Sequence, residues 1–202
     1  MRSNRWLTKP SAKSAKPKAV FLVGFMGAGK SSVGRALAVR LGWTFEDLDE
    51  RIERREGRSV PEIFRDSGEP EFRQVEHAAL RELLKNLSTT DEPKVIALGG
   101  GTFAQRDSHE AIQGSGISTV FLDAPLGELW QRCEQQMLDA KRPLQTSKNK
   151  FRETYNARLQ FYRTASVKIE TGGKRIEAIA AEIIQTLGLG QNAVRPYGGN
   201  RQ

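Results

Sequence analysis

Residues 24–31 read Gly-Phe-Met-Gly-Ala-Gly-Lys-Ser. They stand between an apolar run, residues 19–23 (AVFLV), and a segment in which Val33, Leu37 and Leu41 recur at helical spacing before Gly42. Five consecutive apolar residues stopped by a glycine predict a buried parallel strand. The spacing that follows predicts a helix, with Gly42 as its stop. The octet between them fits G-x-x-x-x-G-K-[ST], a loop that cradles phosphate. Its glycines let the backbone curl so that N–H groups converge on phosphate oxygens, and the helix N-terminus adds partial positive charge. Lys30 can reach the β- and γ-phosphates of a nucleotide, and the Ser31 hydroxyl can ligate Mg²⁺. The strand–loop–helix setting separates this motif from a glycine-rich turn with an incidental lysine. Gly27, Ala28, Gly29, Lys30, Ser31 and Ser32 are therefore the expected nucleotide-binding residues, with Lys30 also catalytic.

Outward from the loop, strands and helices alternate. "WTFEDLD" (43–49), "KVIAL" (94–98), "ISTVFLD" (117–123) and "SVKIET" (166–171) read as further short strands. Residues 48–87 read as helices punctuated by Gly57, Gly68 and Pro70, with Ser59 and Glu62 spaced as a capping box and Pro61 early in the helix. Helical patterns also fill 124–138, 151–165 and 174–188, whereas residues 139–150 are polar and loop-like. This alternation predicts an α/β fold: a parallel five-stranded sheet sandwiched by helices, of P-loop NTPase type. Ligands in such sheets sit beyond the C-terminal strand ends. The glycine-rich loop, the acids of "FEDLD" and the run Gly99-Gly100-Gly101 all fall there.

The chain has 202 residues, 28% of them charged, and a formal net charge of +8. That length favours one domain. Residues 1–18 carry Arg2, Arg5, Lys9, Lys13, Lys16 and Lys18 without an acid, and 191–202 carry Arg195 and Arg201 without an acid, so 19–190 is close to neutral. The total charge thus gives no basic face for nucleic acid. The first segment has the composition of a disordered tail. It is also basic and acid-free as a short transit peptide is, but it lacks the apolar stretch of a secretory signal. No apolar run approaches the ~20 residues of a membrane span. Cys133 is the one cysteine, which excludes an internal disulfide and a multi-cysteine metal site. The expected organisation is a tail at 1–18, a phosphate-loop domain at 19–190 and a second tail at 191–202.

The phosphate loop does not say what accepts a phosphoryl group. Asp47 and Asp49, two apart at the end of a predicted strand, share a face if the strand continues. One can then serve Mg²⁺ while the other accepts a hydrogen bond from an attacking hydroxyl and takes its proton. Alternatively, Asp49 caps the following helix. Arg73, Arg158 and Arg163 offer planar guanidinium groups suited to a carboxylate or phosphate, though each also reads as a solvated helix-face residue. Arg142, in the polar loop, can close over a triphosphate. Asp123 resembles a magnesium-holding strand acid and ranks below Asp47, because "DAPLGEL" reads well as a cap. Three consecutive glycines lose much conformational entropy on folding, so 99–101 suggests close approach of a substrate to bare backbone, or a tight turn. His77 and His109 have no visible partner for catalysis or metal binding and read as surface or helix-face residues.

Over about residues 19–187 the chain resembles shikimate kinase, through "GFMGAGKSSVGRALA", "FEDLDERIE", "GRSVPEIFRDSGEPEFRQVE", "VIALGGGT", "RPL" and "RLQFYRTA". The resemblance implies transfer of the γ-phosphoryl of MgATP to the 3-hydroxyl of shikimate. It assigns Asp47 with Ser31 to the metal, and Asp49 to the shikimate hydroxyls as candidate base. Arg73 and Arg158 fall to the shikimate carboxylate, and Gly99, Gly100 and Gly101 to the substrate wall. Arg142, on a lid at about 139–150, reaches the phosphates, and Arg132 packs near adenine. Residues 48–87 become substrate-binding helices. Two departures stand out: Gln145 follows "RPL" where the family usually has leucine, and "RLQFY" lacks the proline of R-x-P-x-Y. A cytoplasmic monomer acting on small molecules, without nucleic acid or membrane partners, is expected. The alternatives are a related sugar-acid kinase, such as one for gluconate, and a nucleic-acid-associated NTPase.

Overall fold

The computed structural model describes residues 18–139 and 147–190. Arg142, residues 140–146 of the expected lid and both expected tails (apart from Lys18) lie outside the described residues, while residues 148–150, expected in the lid loop, are helical. The chain alternates β1 (Ala19–Val23), α1 (Lys30–Leu41), β2 (Thr44–Asp47), α2 (Leu48–Glu56), α3 (Val60–Thr89), β3 (Lys94–Ala97), α4 (Arg106–Gly114), β4 (Ser118–Asp123), α5 (Leu126–Asp139), α6 (Lys148–Tyr162), β5 (Val167–Glu170) and α7 (Ile176–Thr186), with a short 3₁₀ turn at Thr102–Ala104.

The five strands form one parallel sheet in the order β2-β3-β1-β4-β5. All five residues of β1 are buried, as are the middle four of β4, because a parallel strand covered on both sides has no polar face. Helices flank the sheet, with α1 packed on α7 and α3 on α4. Among the described residues, no helix is long and apolar enough to cross a membrane.

Two departures from regularity shape the site. The α3 helix breaks at Gly68, whose φ of 79° and ψ of 173° are non-helical, and Pro70 follows. The break lets Phe72 turn back onto Phe64, with ring centroids 4.4 Å apart, and it starts a new helical run just before Arg73. The capping box expected at Ser59 and Glu62 is formed: the Glu62 carboxylate accepts from the Ser59 backbone N–H at 2.7 Å. The second departure is a correction. β2 stops at Asp47, so Asp47 and Asp49 do not share a strand face; Asp49 is already in the first turn of α2. Asp47 is the cap, its Oδ1 accepting from the Asp49 backbone N–H at 3.0 Å. That bond starts the helix at once and turns Asp49 away from the strand's alternation.

Candidate active site

The phosphate loop joins the end of β1 to the start of α1. Gly27 and Gly29 take φ of 77° and 83°, conformations that L side chains rarely adopt. A Cβ on Gly27 would lie 2.8 Å from the Leu129 carbonyl and 3.0 Å from Cys133 Sγ, so α5 packs directly behind the loop. Lys30 folds over the loop and donates to the Phe25 carbonyl at 3.0 Å. Burial lowers its pKa, while the charges of Asp49 and Asp47 oppose that shift. Ser31 Oγ donates to Asp47 Oδ2 at 2.6 Å, so one carboxylate ties the start of α1 to the start of α2. Ser32 is exposed in the first turn of α1.

Asp49 lies under this loop. Its pKa is raised to about 6, first by burial and then by the neighbouring Asp47 charge, with Lys30 pulling the other way. A Cβ on Gly99 would come within 2.7 Å of Asp49 Oδ1. Gly101 backs onto the Arg73 guanidinium, both Nη atoms lying 2.9 Å from where its Cβ would be. Gly100 approaches the phosphate loop itself, 3.3 Å separating such a Cβ from the Met26 backbone nitrogen. The Gly100 carbonyl accepts from Arg158 Nη1 at 3.2 Å and from the Tyr162 hydroxyl. The Arg158 guanidinium also sits over the Phe25 ring, 5.5 Å from its centroid. The glycine run therefore links Asp49 and Arg73 to Arg158 and the phosphate loop, and Lys30 interacts electrostatically with Asp49.

Arg73 is held by two acids on its own helix, one turn to either side. Its Nη1 donates to Glu76 Oε2 at 2.8 Å and its Nη2 to Glu69 Oε1 at 2.8 Å. Glu76 is only 1% exposed, and its other oxygen accepts from the Thr102 hydroxyl. Glu76, Thr102 and Tyr162 were not among the residues expected from sequence. The signal for Glu76 was present in "EFRQVE": it stands three positions after Arg73, hence on the same helical face.

The remaining candidates are placed as follows. Arg132, on α5, donates to the Gly27 carbonyl at 3.3 Å and to Glu128 Oε2 at 2.8 Å. Asp123 pairs with Lys168 at 3.0 Å and accepts from the Tyr155 hydroxyl at 3.4 Å. The two histidines hydrogen-bond hydroxyls, His77 with Ser108 at 3.4 Å and His109 with Thr164 at 2.7 Å.

Ser31 and Asp47 were expected to hold a divalent ion, and the donor set fits one. A hydroxyl and a carboxylate are hard oxygen ligands, and they lie 2.6 Å apart beside the phosphate cradle. Among the described residues no cluster of three or more His, Cys, Asp or Glu side chains could hold a metal by itself. A two-donor site suits an ion that shares its coordination with substrate phosphates.

A family model described as shikimate kinase matches residues 26–188. Shikimate kinase from Persephonella marina is 36% identical over 168 residues, covering 82% of this chain and 96% of its own. The Thermus thermophilus enzyme is 40% identical over 172 residues, covering 83% of this chain and 89% of its own. The solved structure of shikimate kinase from Acinetobacter baumannii in complex with shikimate superposes with a TM-score of 0.75 at 36% identity, covering 84% of this chain and 92% of that one.

Proposed function

The chain belongs to the shikimate kinase family, whose members are ATP-dependent kinases, and on that premise we propose how its residues divide the transfer of the γ-phosphoryl group of MgATP to the 3-hydroxyl of shikimate. Phosphoryl transfer asks little covalent chemistry of a protein; positioning and charge neutralisation dominate. Backbone N–H groups of Gly27–Ser31 and the Lys30 ammonium bind the phosphates, with Ser32 at the same helix start and Arg132 on the adenine side. Ser31 and Asp47 hold Mg²⁺, which when bound offsets charge on the phosphate oxygens. Arg73 and Arg158 grip the shikimate carboxylate, and Gly99–Gly101 form the wall beside it. Asp49 orients the hydroxyl and takes its proton. Its pKa of about 6 leaves it ionised at neutral pH yet more basic than an ordinary aspartate. Arg142, on a lid over the phosphates, completes the charge neutralisation and helps exclude water. We also read the chain as a cytoplasmic monomer acting on small molecules, with residues 19–190 as its working domain.

The observation that carries this reading is the shared cleft. Lys30 and Asp49 interact electrostatically, and Asp49 and Arg73 abut the first and last members of one glycine run. A phosphate cradle, a hydroxyl-directed carboxylate and a guanidinium for a carboxylate thus face one another. The test is kinetic. Arg73→Ala is expected to raise the KM for shikimate roughly 10–100-fold, the value of a lost charged hydrogen-bond pair, and to leave the KM for ATP nearly unchanged. Because that variant also strands the buried Glu76, Arg73→Lys is the companion: it keeps a cation there and loses the two-pronged fork. Equal loss for both substrates would refute the role. An ADP-release assay across hydroxy acids, gluconate included, separates this reading from a sugar-acid kinase.

A further inference from the structure

We infer that Tyr162 is a positioning residue for acid recognition: its hydroxyl keeps the Gly100 carbonyl paired while Arg158 leaves that carbonyl for the substrate's carboxylate. The inference rests on the reading of Arg158 given above. In the structure both side chains donate to this one carbonyl, Arg158 from Nη1 at 3.2 Å and Tyr162 from its hydroxyl. The two donors lie one turn apart on α6, at positions 158 and 162, so they approach Gly100 from the same helical face.

Tyr162 is built to stay in place, and Arg158 is not. Tyr162 is 1% exposed, and its ring stacks on Phe121 of β4 with centroids 5.3 Å apart. Burial pushes its phenol to about 12, against the pull of the Arg158 charge, so the hydroxyl remains a donor at all working pH values. Arg158 is only partly buried and rests on the Phe25 ring. A carboxylate is the better acceptor for a guanidinium. Were Arg158 the sole donor, its move would leave a carbonyl unpaired in a closing site, and that cost would subtract from substrate affinity. With Tyr162 present that carbonyl keeps a donor. No catalytic contact is assigned to Tyr162.

The test is Tyr162→Phe, which keeps the ring and removes only the donor, measured alone and with Arg158→Ala. The expected result in the native background is a KM for shikimate raised roughly 3–10-fold, with kcat and the KM for ATP within about twofold. In the Arg158→Ala background Tyr162→Phe is expected to add less than about twofold, because no guanidinium then leaves Gly100 on binding. A merely structural Tyr162, holding the glycine run in shape, predicts the same KM increase in both backgrounds, and that result would overturn the inference. So would a Tyr162→Phe enzyme with unaltered shikimate KM. Arg158→Ala failing by itself to weaken shikimate use would instead sink the carboxylate reading of Arg158, and the inference with it.

Discussion

Gly101 has no room for even a methyl group. Its absent Cβ would meet both Nη atoms of Arg73 at 2.9 Å, closer than real Cβ contacts come. The guanidinium cannot swing aside cheaply, since Glu69 and the buried Glu76 clamp it from either side. Gly101→Ala is therefore expected to push the guanidinium off its position and raise the KM for shikimate at least about tenfold, a charged hydrogen bond's worth, with ATP use intact. An unchanged shikimate KM would show that Arg73 tolerates displacement. Asp49 supports a second prediction at this scale. Folding raises its pKa from 3.8 to about 6, chiefly by burial. The folded chain thus holds a proton that the unfolded chain has lost, and the Asp49 contribution to stability, full below about pH 4, declines up to about pH 6. In the metal-free, nucleotide-free protein Asp49→Asn should accordingly be more stable than the native chain at pH 7.5, by roughly 1–3 kcal/mol, and the difference should shrink at pH 4.5. Urea midpoints at the two pH values measure it, alongside a large loss of turnover. A variant less stable at pH 7.5 would refute the burial argument.

At the scale of elements, the break in α3 matters most. Gly68 and Pro70 mark it in the sequence, and the structure turns the chain there with a positive φ and an extended ψ, a combination essentially confined to glycine that an L side chain adopts at a cost of about 1–3 kcal/mol. Nothing crowds the position, Pro70 Cδ lying 3.7 Å from the missing Cβ, so the cost is in the backbone. Gly68→Ala should therefore destabilise by that amount and, because Arg73 follows the break, raise the shikimate KM more than the ATP KM. Calorimetry and steady-state kinetics check both halves; a variant with native stability would mean that the kink relaxes freely. Elements of this kind were legible because their signals are local: apolar runs for the strands, glycine and proline for the breaks. The junction of β2 and α2 was legible only in part: residues from 48 read as helix, yet "WTFEDLD" also read as strand as far as Asp49, and the bond from the Asp49 N–H to Asp47 decides for helix. Glu76 escaped for the opposite reason: an acid on a helix in a charged stretch reads as solvated, and its burial depends on Thr102 arriving from elsewhere in the fold.

For the whole molecule, alternation of strands and helices implied a parallel sheet, but the order β2-β3-β1-β4-β5 depends on non-local pairing that no window of sequence contains. That order places β1 beside β3 and β3 beside β2, so the phosphate loop, the glycine run and the aspartates emerge from three adjacent strand ends. The glycine run was expected to let a substrate approach bare backbone; its closest neighbours in the structure are the protein's own Asp49, Arg73 and Met26. If each half of the cleft is assembled by its own strands, the two ligands should stabilise the fold through separable sets of residues. A ligand at 100 times its Kd adds about 2.7 kcal/mol, which for a domain of this size moves Tm by roughly 5–10 °C. Shikimate alone, and ADP with magnesium alone, should each produce a shift of that order in the native chain. Arg73→Lys should lose most of the shikimate shift and keep the ADP shift, whereas Lys30→Ala should lose most of the ADP shift and keep the shikimate shift. Loss of both shifts in either variant would mean that the cleft forms as one unit, and the division of labour between its two sides would fail.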